Sequence, residues 1–209
     1  MYRFLIADDH TVVRKGLKLI LLEAFPSALV EEVKDAESLL KMVFAKSWEV
    51  IISDISMPGR SGLEVLQQIK QHYPKLPVLI LSVHSEDQYA LRVLKAGASG
   101  YLNKDSAPEQ LVAAVNRVML GKKYITPTIA EKLANSLDQD PDKLSHEYLS
   151  DREFEVLKLI AGGQAVSDIA SRLSLSVTTI STYRSRIMSK MGLKTNAELI
   201  LYAIENKLV

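Results

Sequence analysis

Phe4-Leu5-Ile6-Ala7-Asp8-Asp9 and Val50-Ile51-Ile52-Ser53-Asp54 decide the fold. Each is an apolar run that ends in carboxylate. A parallel strand buried on both faces reads as such a continuous apolar run. Open α/β sheets gather their ligands at the carboxyl ends of the strands. Side by side, these two strands would bring Asp8, Asp9 and Asp54 into one pocket. Crowded carboxylates repel one another unless a hard cation holds them, and Mg²⁺ favours oxygen ligands. Further on, Val78-Leu79-Ile80-Leu81 ends in Ser82, and Gly100-Tyr101-Leu102 leads to Lys104. Carboxylates, a hydroxyl and an ammonium at four strand ends form a set suited to one phosphoryl group.

Working outward, residues 1–121 alternate between the two periodicities. Strand signals cover 3–7, 29–33, 49–54, 77–82 and 99–103, and helical periodicity fills 11–24, 36–46, 62–73, 86–96 and 107–120. Ser38 falls near one helix start, Ser61-Gly62 precedes another, and Pro108 sits in a first turn, where its missing N–H costs little. This alternation predicts a five-stranded parallel sheet, doubly wound in the flavodoxin-like manner, with right-handed crossovers and helices on both faces. Residues 122–146 read as a linker: Pro127 and Pro141 punctuate it, and Asp138-Gln139-Asp140-Pro141-Asp142 is polar and turn-prone. Within it Thr128–Leu137 can form a short helix with Ile129, Leu133 and Leu137 on one face. Residues 147–209 carry no strand signal and predict an all-α, four-helix domain, with helices over 151–161, 166–173, 177–191 and 195–206.

The chain has 209 residues, 47% of them hydrophobic and 24% charged, which accommodates two small domains with real cores. It contains no Cys, so disulfides and thiolate metal sites are excluded, as suits a reducing cytoplasm. Acidic residues lie within the first ten positions, which argues against a signal peptide. No apolar run approaches the roughly 18 residues that span a bilayer. A cytoplasmic protein without membrane association is expected. The net charge is only +1, but Arg172, Arg184, Arg186, Lys190 and Lys194 fall in a stretch without a single Asp or Glu. Such a local basic segment attracts nucleic acid, although a solvated helix face would read the same on charge alone.

Four motifs in order, each at a strand end, make residues 1–120 resemble a two-component receiver domain. They are Leu5-Ile6-Ala7-Asp8-Asp9-His10, Asp54-Ile55-Ser56-Met57-Pro58-Gly59, Leu81-Ser82, and Gly97-Ala98-Ser99-Gly100-Tyr101-Leu102-Asn103-Lys104-Asp105. The whole chain resembles a response regulator of the NarL/FixJ type. The resemblance implies that Asp54 accepts the phosphoryl group from a sensor histidine kinase. It implies that Asp9, Asp54 and the Ser56 carbonyl ligate Mg²⁺, with Asp8 acting largely through water. It assigns Ser82 and Lys104 to the phosphoryl oxygens, and makes Tyr101 a switch aromatic that turns inward when Ser82 moves. Pro58-Gly59 reads as turn chemistry beside Asp54. His10 is expected to lie just past the pocket, and the 4 His, at positions 10, 72, 84 and 146, are too dispersed for a histidine metal site.

Residues 147–209 resemble the LuxR-type helix-turn-helix, through Leu149-Ser150-Asp151-Arg152-Glu153-Phe154-Glu155-Val156-Leu157, Ile169-Ala170-Ser171-Arg172-Leu173-Ser174-Leu175-Ser176, Thr179-Ile180, Ile187 and Lys190-Met191-Gly192-Leu193. Ser150 and Glu153 have the spacing of a capping box, and Ser176 fits the N-cap of a recognition helix. On that helix Ile180, Ile187 and Met191, joined roughly by Val177 and Tyr183, form the core face. Thr178, Ser181, Thr182, Ser185 and Ser189 form the opposite one. Small hydroxyl residues let a helix approach base edges closely. Arg184, Arg186, Lys190 and Lys194 flank them as candidate phosphate contacts. The family commonly has Lys and His where this chain has Ser181 and Tyr183, so operator preference does not carry over. The last helix carries an apolar stripe, Leu199, Tyr202, Ala203 and Ile204, part of it core and the rest resembling the dimerisation helix of the family. Leu199, Tyr202 and Ala203 are the candidate dimerisation residues, and a palindromic operator demands a two-fold protein. The expected partners are the kinase, a double-stranded DNA operator, a second copy of the chain and, further, RNA polymerase. Two rivals stand beside this reading. A Mg²⁺-dependent phosphatase of the haloacid-dehalogenase type would show an Asp-x-Asp pair, which the adjacent Asp8-Asp9 is not. A phosphorylation-independent scaffold would not need the set Asp9, Asp54, Ser82 and Lys104. No enzymatic activity is expected beyond self-phosphorylation and dephosphorylation of Asp54.

Overall fold

The computed structural model describes residues 1–57, 60, 62–83, 86–137, 146 and 149–209. The chain divides into two compact units, Met1–Gln139 and Asp140–Val209. In the first, β1 (Arg3–Ala7), β2 (Leu29–Val33), β3 (Val50–Asp54), β4 (Val78–Ser82) and β5 (Gly100–Asn103) alternate with α1 (Thr11–Ala24), α2 (Ala36–Ala45), α3 (Gly62–His72), α4 (Glu86–Lys95) and α5 (Ala107–Met119). The strands are all parallel, in the order β2-β1-β3-β4-β5. The predicted elements hold, with ends trimmed by a residue or so.

Side-chain alternation covers both faces of the sheet. Phe4, Ile6, Ile52, Leu79 and Leu81 pack with Leu17 and Leu21 of α1 and Leu111, Ala114 and Val115 of α5. Leu5 and Ile51 are likewise wholly buried, as are Leu39 of α2 and Ile69 of α3. Each such side chain contributes about 1.5–3 kcal/mol of burial, which is what fixes the strand register. In that register Ala7 stands beside Ser53. The chain leaves β1 toward β2 on one side and returns as β3 on the other, so the residues after Ala7 and Ser53 flank the point where strand order reverses.

Local chemistry sets the helix starts. Asp35 rather than Ser38 caps α2, its carboxylate accepting from the Ser38 N–H at 2.8 Å. Pro108 lies in the first turn of α5 as expected. Gly62 opens α3 so close to Ile55 that an added Cβ would lie 2.6 Å from its backbone. That approach, with the Gly62 N–H donating to the Ile55 carbonyl at 3.0 Å, anchors the chain just past Asp54.

The linker expected over 122–146 is shorter. Tyr124 bridges to Gly100 beside β5, and α6 (Pro127–Leu137) packs on α4, with Ile129 buried and the Thr126 hydroxyl donating to Glu86 at 2.6 Å. The apolar face of the short helix is the physical reason: it needs a partner, and α4 supplies one. The Leu137 side chain expected on that face lies outside the described residues, as do Pro58, Gly59, Ser61, His84 and 138–145.

The second unit contains α7 (Asp151–Ala161), α8 (Val166–Leu173), α9 (Val177–Met191) and α10 (Asn196–Glu205). Phe154, Leu157, Ile169, Ile180, Ile187, Leu199 and Ala203 form its buried interior. The capping box at α7 is present in both directions: Ser150 Oγ accepts from the Glu153 N–H, and Glu153 accepts from the Ser150 N–H. Ser174, in the left-handed region at φ 56°, ends α8, and Ser176 caps α9 by accepting from the Thr179 N–H at 3.0 Å. A tight turn between the 8-residue α8 and the 15-residue α9 results.

Candidate functional site

At the mouth of the β1/β3 crevice Asp8 and Asp54 are almost wholly buried, with 0% and 2% exposure. The Lys104 Nζ, delivered by the loop after β5, lies 2.7 Å from Asp8 Oδ2 and 2.7 Å from Asp54 Oδ2. The Lys104 N–H donates to the Ser82 carbonyl at 2.8 Å, which fixes this loop to the end of β4. On the other side Asp54 Oδ1 accepts from the Ser56 N–H at 3.1 Å. Asp9 is partly exposed at the rim. Asp8, Asp9, His10 and Asp54 each present an atom that could hold a metal ion, all within 4.8 Å of one another.

Electrostatics follow from this burial. Burial opposes charge on Lys104, but hydrogen bonds and attraction from Asp54 and Asp8 outweigh it and hold its pKa above the ordinary lysine value. Burial raises the Asp54 carboxyl above its ordinary range, against the pull of Lys104 and the Ser56 N–H. One ammonium among three carboxylates leaves net negative charge. The oxygens of these three carboxylates, with that charge, fit a hard divalent cation.

The strand ends bring together Asp8, Asp9, Asp54, Ser82 and Lys104, as expected from the apolar runs. Two details differ. Tyr101 already points inward: it is 0% exposed and shares a side-chain hydrogen bond with Ser82. Its place on β5 among apolar neighbours favours burial of the ring, and that burial pushes its pKa up to about 12. His10 does not lie past the pocket. Its Nδ1 is 2.7 Å from Asp9 Oδ1 and 3.1 Å from Asp8 Oδ1, because its own N–H donates to Asp8 at 2.7 Å and turns the ring back. Arg14 donates to the Asp8 carbonyl at 2.5 Å and lies 3.7 Å from Glu32, bracing the same loop. The only sequence signal for Arg14 is its place one helical turn after His10.

In the second unit α9 buries Ile180, Ile187 and Met191 and exposes Thr178, Ser181, Thr182, Ser185 and Ser189. Val177, expected on the core face, is 53% exposed because it stands at the first helical position, beyond the reach of the neighbouring helices. The Ser181 and Thr182 hydroxyls donate to the carbonyls of Val177 and Thr178 at 3.0 and 2.9 Å, which leaves oxygen lone pairs to accept from outside. Arg184, Arg186 and Lys194 are exposed, and Arg184 Nε donates to Asn196 at 2.8 Å. Lys190 instead lies 2.7 Å from the buried carboxylate of Glu153 on α7. Of the candidate dimerisation residues, Leu199 and Ala203 belong to the interior, and Tyr202 is half-buried. Leu199 and Ala203 are 0% exposed inside this unit, and the Tyr202 hydroxyl accepts from the His146 N–H at 3.2 Å. Leu201 and Ile204, at 56% and 58%, are the exposed large apolar residues of α10. At about 100° per residue, positions 199 and 203 share the inner face and 201 and 204 the outer one.

Residues 4–116 match the family model of the response regulator receiver domain, and residues 147–203 match that of the bacterial regulatory proteins of the luxR family. The response regulator UvrY of Escherichia coli (strain K12) is 35% identical over 100% of this chain and 96% of its own length. The oxygen regulatory protein NreC of Staphylococcus carnosus is 36% identical, covering 99% of both chains. Among solved structures, RcsB from Salmonella enterica serovar Typhimurium bound to promoter rprA in the presence of the phosphomimetic BeF3- superposes with a TM-score of 0.63 at 29% identity, covering 97% of this chain and 98% of that one. RcsB from the same organism bound to promoter P1flhDC, again with BeF3-, superposes with a TM-score of 0.59 at 30% identity, covering 96% of this chain and 97% of that one.

Proposed function

The chain belongs to the response regulators that join a receiver domain to a LuxR-family DNA-binding domain, and on that footing we propose that phosphorylation of Asp54 controls its binding to an operator. The observation that carries the reading is the convergence of Asp8, Asp54 and Lys104 at three strand ends, ahead of a complete helix-turn-helix unit.

An Asp54 carboxylate oxygen attacks the phosphorus of a phosphohistidine on the sensor kinase. The new O–P bond forms as the N–P bond breaks, and the electron pair stays on the imidazole. A bound Mg²⁺, held by Asp9, Asp54 and the Ser56 carbonyl with Asp8 through water, would offset charge on the phosphoryl oxygens. Lys104 sits within reach of the same oxygens and needs only to shift from Asp54 toward them. Ser82, at the end of β4, donates its hydroxyl to a phosphoryl oxygen and gives up its bond to Tyr101. Phosphoryl transfer needs positioning and charge neutralisation more than covalent help, and these residues supply both.

On DNA, α9 enters the major groove. Thr178, Ser181, Thr182 and Ser185 face base edges, and Arg184, Arg186 and Lys194 meet phosphates. The second copy docks through the outer face of α10, around Leu201 and Ile204. That RcsB, to which the chain is similar, has been solved bound to promoter DNA supports the DNA-binding reading. A regulator that binds DNA acts in the cytoplasm. Among the described residues no helix is long and apolar enough to cross a membrane.

Incubation with Mg²⁺ and a small phosphoramidate donor tests the first step. One acid-labile phosphoryl group should appear by intact mass, and Asp54→Asn should abolish it. Equal labelling of the Asn variant would show that Asp54 is not the acceptor.

A further inference from the structure

Five basic residues of the second unit lie in one acid-free stretch of sequence, but the fold does not treat them alike. Arg186 and Lys194 are exposed and carry no ion pair among the described residues. Arg184 gives only its Nε–H to Asn196 and keeps its other N–H donors outward. Lys190 differs. Its side chain is exposed too, at 43%, but its ammonium lies 2.7 Å from Glu153 Oε2. Glu153 itself is 2% exposed, and the same Oε2 accepts from the Ser150 N–H at 2.6 Å. One carboxylate oxygen therefore closes the first turn of α7 and ties down the last turn of α9. Lys190 and the Ser150 N–H together outweigh the effect of burial and hold the Glu153 carboxyl below its ordinary range. If Lys190 swung out to a phosphate, that carboxylate would stay buried with its charge uncompensated.

We propose that Lys190 is a positioning residue for DNA recognition: through Glu153 it sets the seat of the recognition helix against α7 and makes no phosphate contact of its own. The inference rests on the DNA-binding reading above and deepens it. Arg184, Arg186 and Lys194 carry the phosphate contacts, and Lys190 governs how accurately Ser181, Thr182 and Ser185 meet base edges. A helix seated wrongly on its scaffold keeps its charge but loses its alignment with the groove, so discrimination falls before general affinity does.

The two roles differ in how binding depends on salt. Each phosphate contact contributes about −0.9 to the slope of log K against log salt. The full-length protein is titrated, over a range of salt, with a duplex that the wild type enriches from a random pool and with the unselected pool itself. For Lys190→Met the expected result is a several-fold loss of preference for the enriched duplex over the pool, with the salt slope unchanged. Glu153→Gln should reproduce that loss, and the double variant should add nothing further. Lys194→Gln is the contrast: it should lower affinity for both DNAs alike and make the slope shallower by about 0.9. A shallower slope for Lys190→Met with preference intact overturns the proposal, and this variant decides the matter even if Glu153→Gln fails to fold. Absence of salt-dependent binding by the wild type to either DNA would overturn the DNA reading itself, and the proposal with it.

Discussion

In its proposed role Asp54 combines two demands that pull against each other: a nucleophilic carboxylate must be ionised, yet it sits where burial disfavours charge. Its raised pKa means that the charged form is less favoured in the folded than in the unfolded chain. Ionised Asp54 therefore costs stability at neutral pH, and that cost fades as the pH falls toward the ordinary carboxylate value. Asp54→Asn should accordingly raise the melting temperature of the first unit near pH 7. The gain should shrink on acidification, which calorimetry across pH would follow; a variant less stable than wild type at pH 7 would show that Lys104 dominates instead. Glu153 has the opposite sign. Its carboxyl is held down, so its contribution is present above the ordinary value and is lost as the pH falls through the lower folded one. Chemical-shift titration of the second unit should show acid loosening of α7 from α9, absent in Glu153→Gln. The acidic cluster was legible in the sequence because a carboxylate that ends a buried apolar run falls at the carboxyl end of a strand, where α/β sheets collect their ligands. The inward Tyr101 ring and the His10 contact were not, since side-chain direction at a strand end depends on which neighbouring loops fold back.

Helices and strands were the most legible scale, because periodicity reports burial and burial decides the elements. The five strands and both helix-turn-helix members follow from it. What periodicity did not resolve is which side of an apolar stripe faces inward. On α10 both faces carry apolar residues, Leu199 and Ala203 within, Leu201 and Ile204 without, and only the packing against α7 separates them. Replacing Leu201 and Ile204 by Asp should therefore weaken dimerisation while leaving the domain folded. Leu199→Ala should instead destabilise the domain by about 2–5 kcal/mol. Sedimentation and thermal melts together separate these outcomes; a dimer indifferent to Leu201 and Ile204 would place the interface elsewhere. On α9 the hydroxyl face makes a different claim. Ser181→Ala or Thr182→Ala should change which duplexes are enriched from a random pool, while the salt slope stays as in wild type.

At the scale of the whole molecule, the question is how a charge placed on Asp54 reaches α9. A new aspartyl phosphate brings roughly −1.5 to −2 charges into the pocket. In the proposed switch Lys104 and the Ser82 hydroxyl would turn toward it, and Tyr101 would lose its Ser82 partner. The surface made by α4, β5 and α5 is the one such a switch would reshape, and α6 packs on α4, with Thr126 bonded to Glu86. The sequence showed the short amphipathic helix but left it in the linker, because nothing in its pattern says that α4 covers its apolar face. Two arrangements of that surface can bias dimerisation or the freedom of the DNA-binding unit. A ligand moves such an equilibrium only by its differential affinity, and about 1–3 kcal/mol is the ordinary size of the coupling.

The most direct test of phosphorylation-controlled DNA binding is the affinity of the full-length protein for its enriched duplex, measured with and without Mg²⁺ and beryllofluoride, in wild type and Asp54→Asn. The mimic should tighten wild-type binding by about 1–3 kcal/mol and leave the Asn variant unmoved. Wild-type affinity that ignores the mimic, or an Asn variant that responds equally, would contradict the control of DNA binding by Asp54.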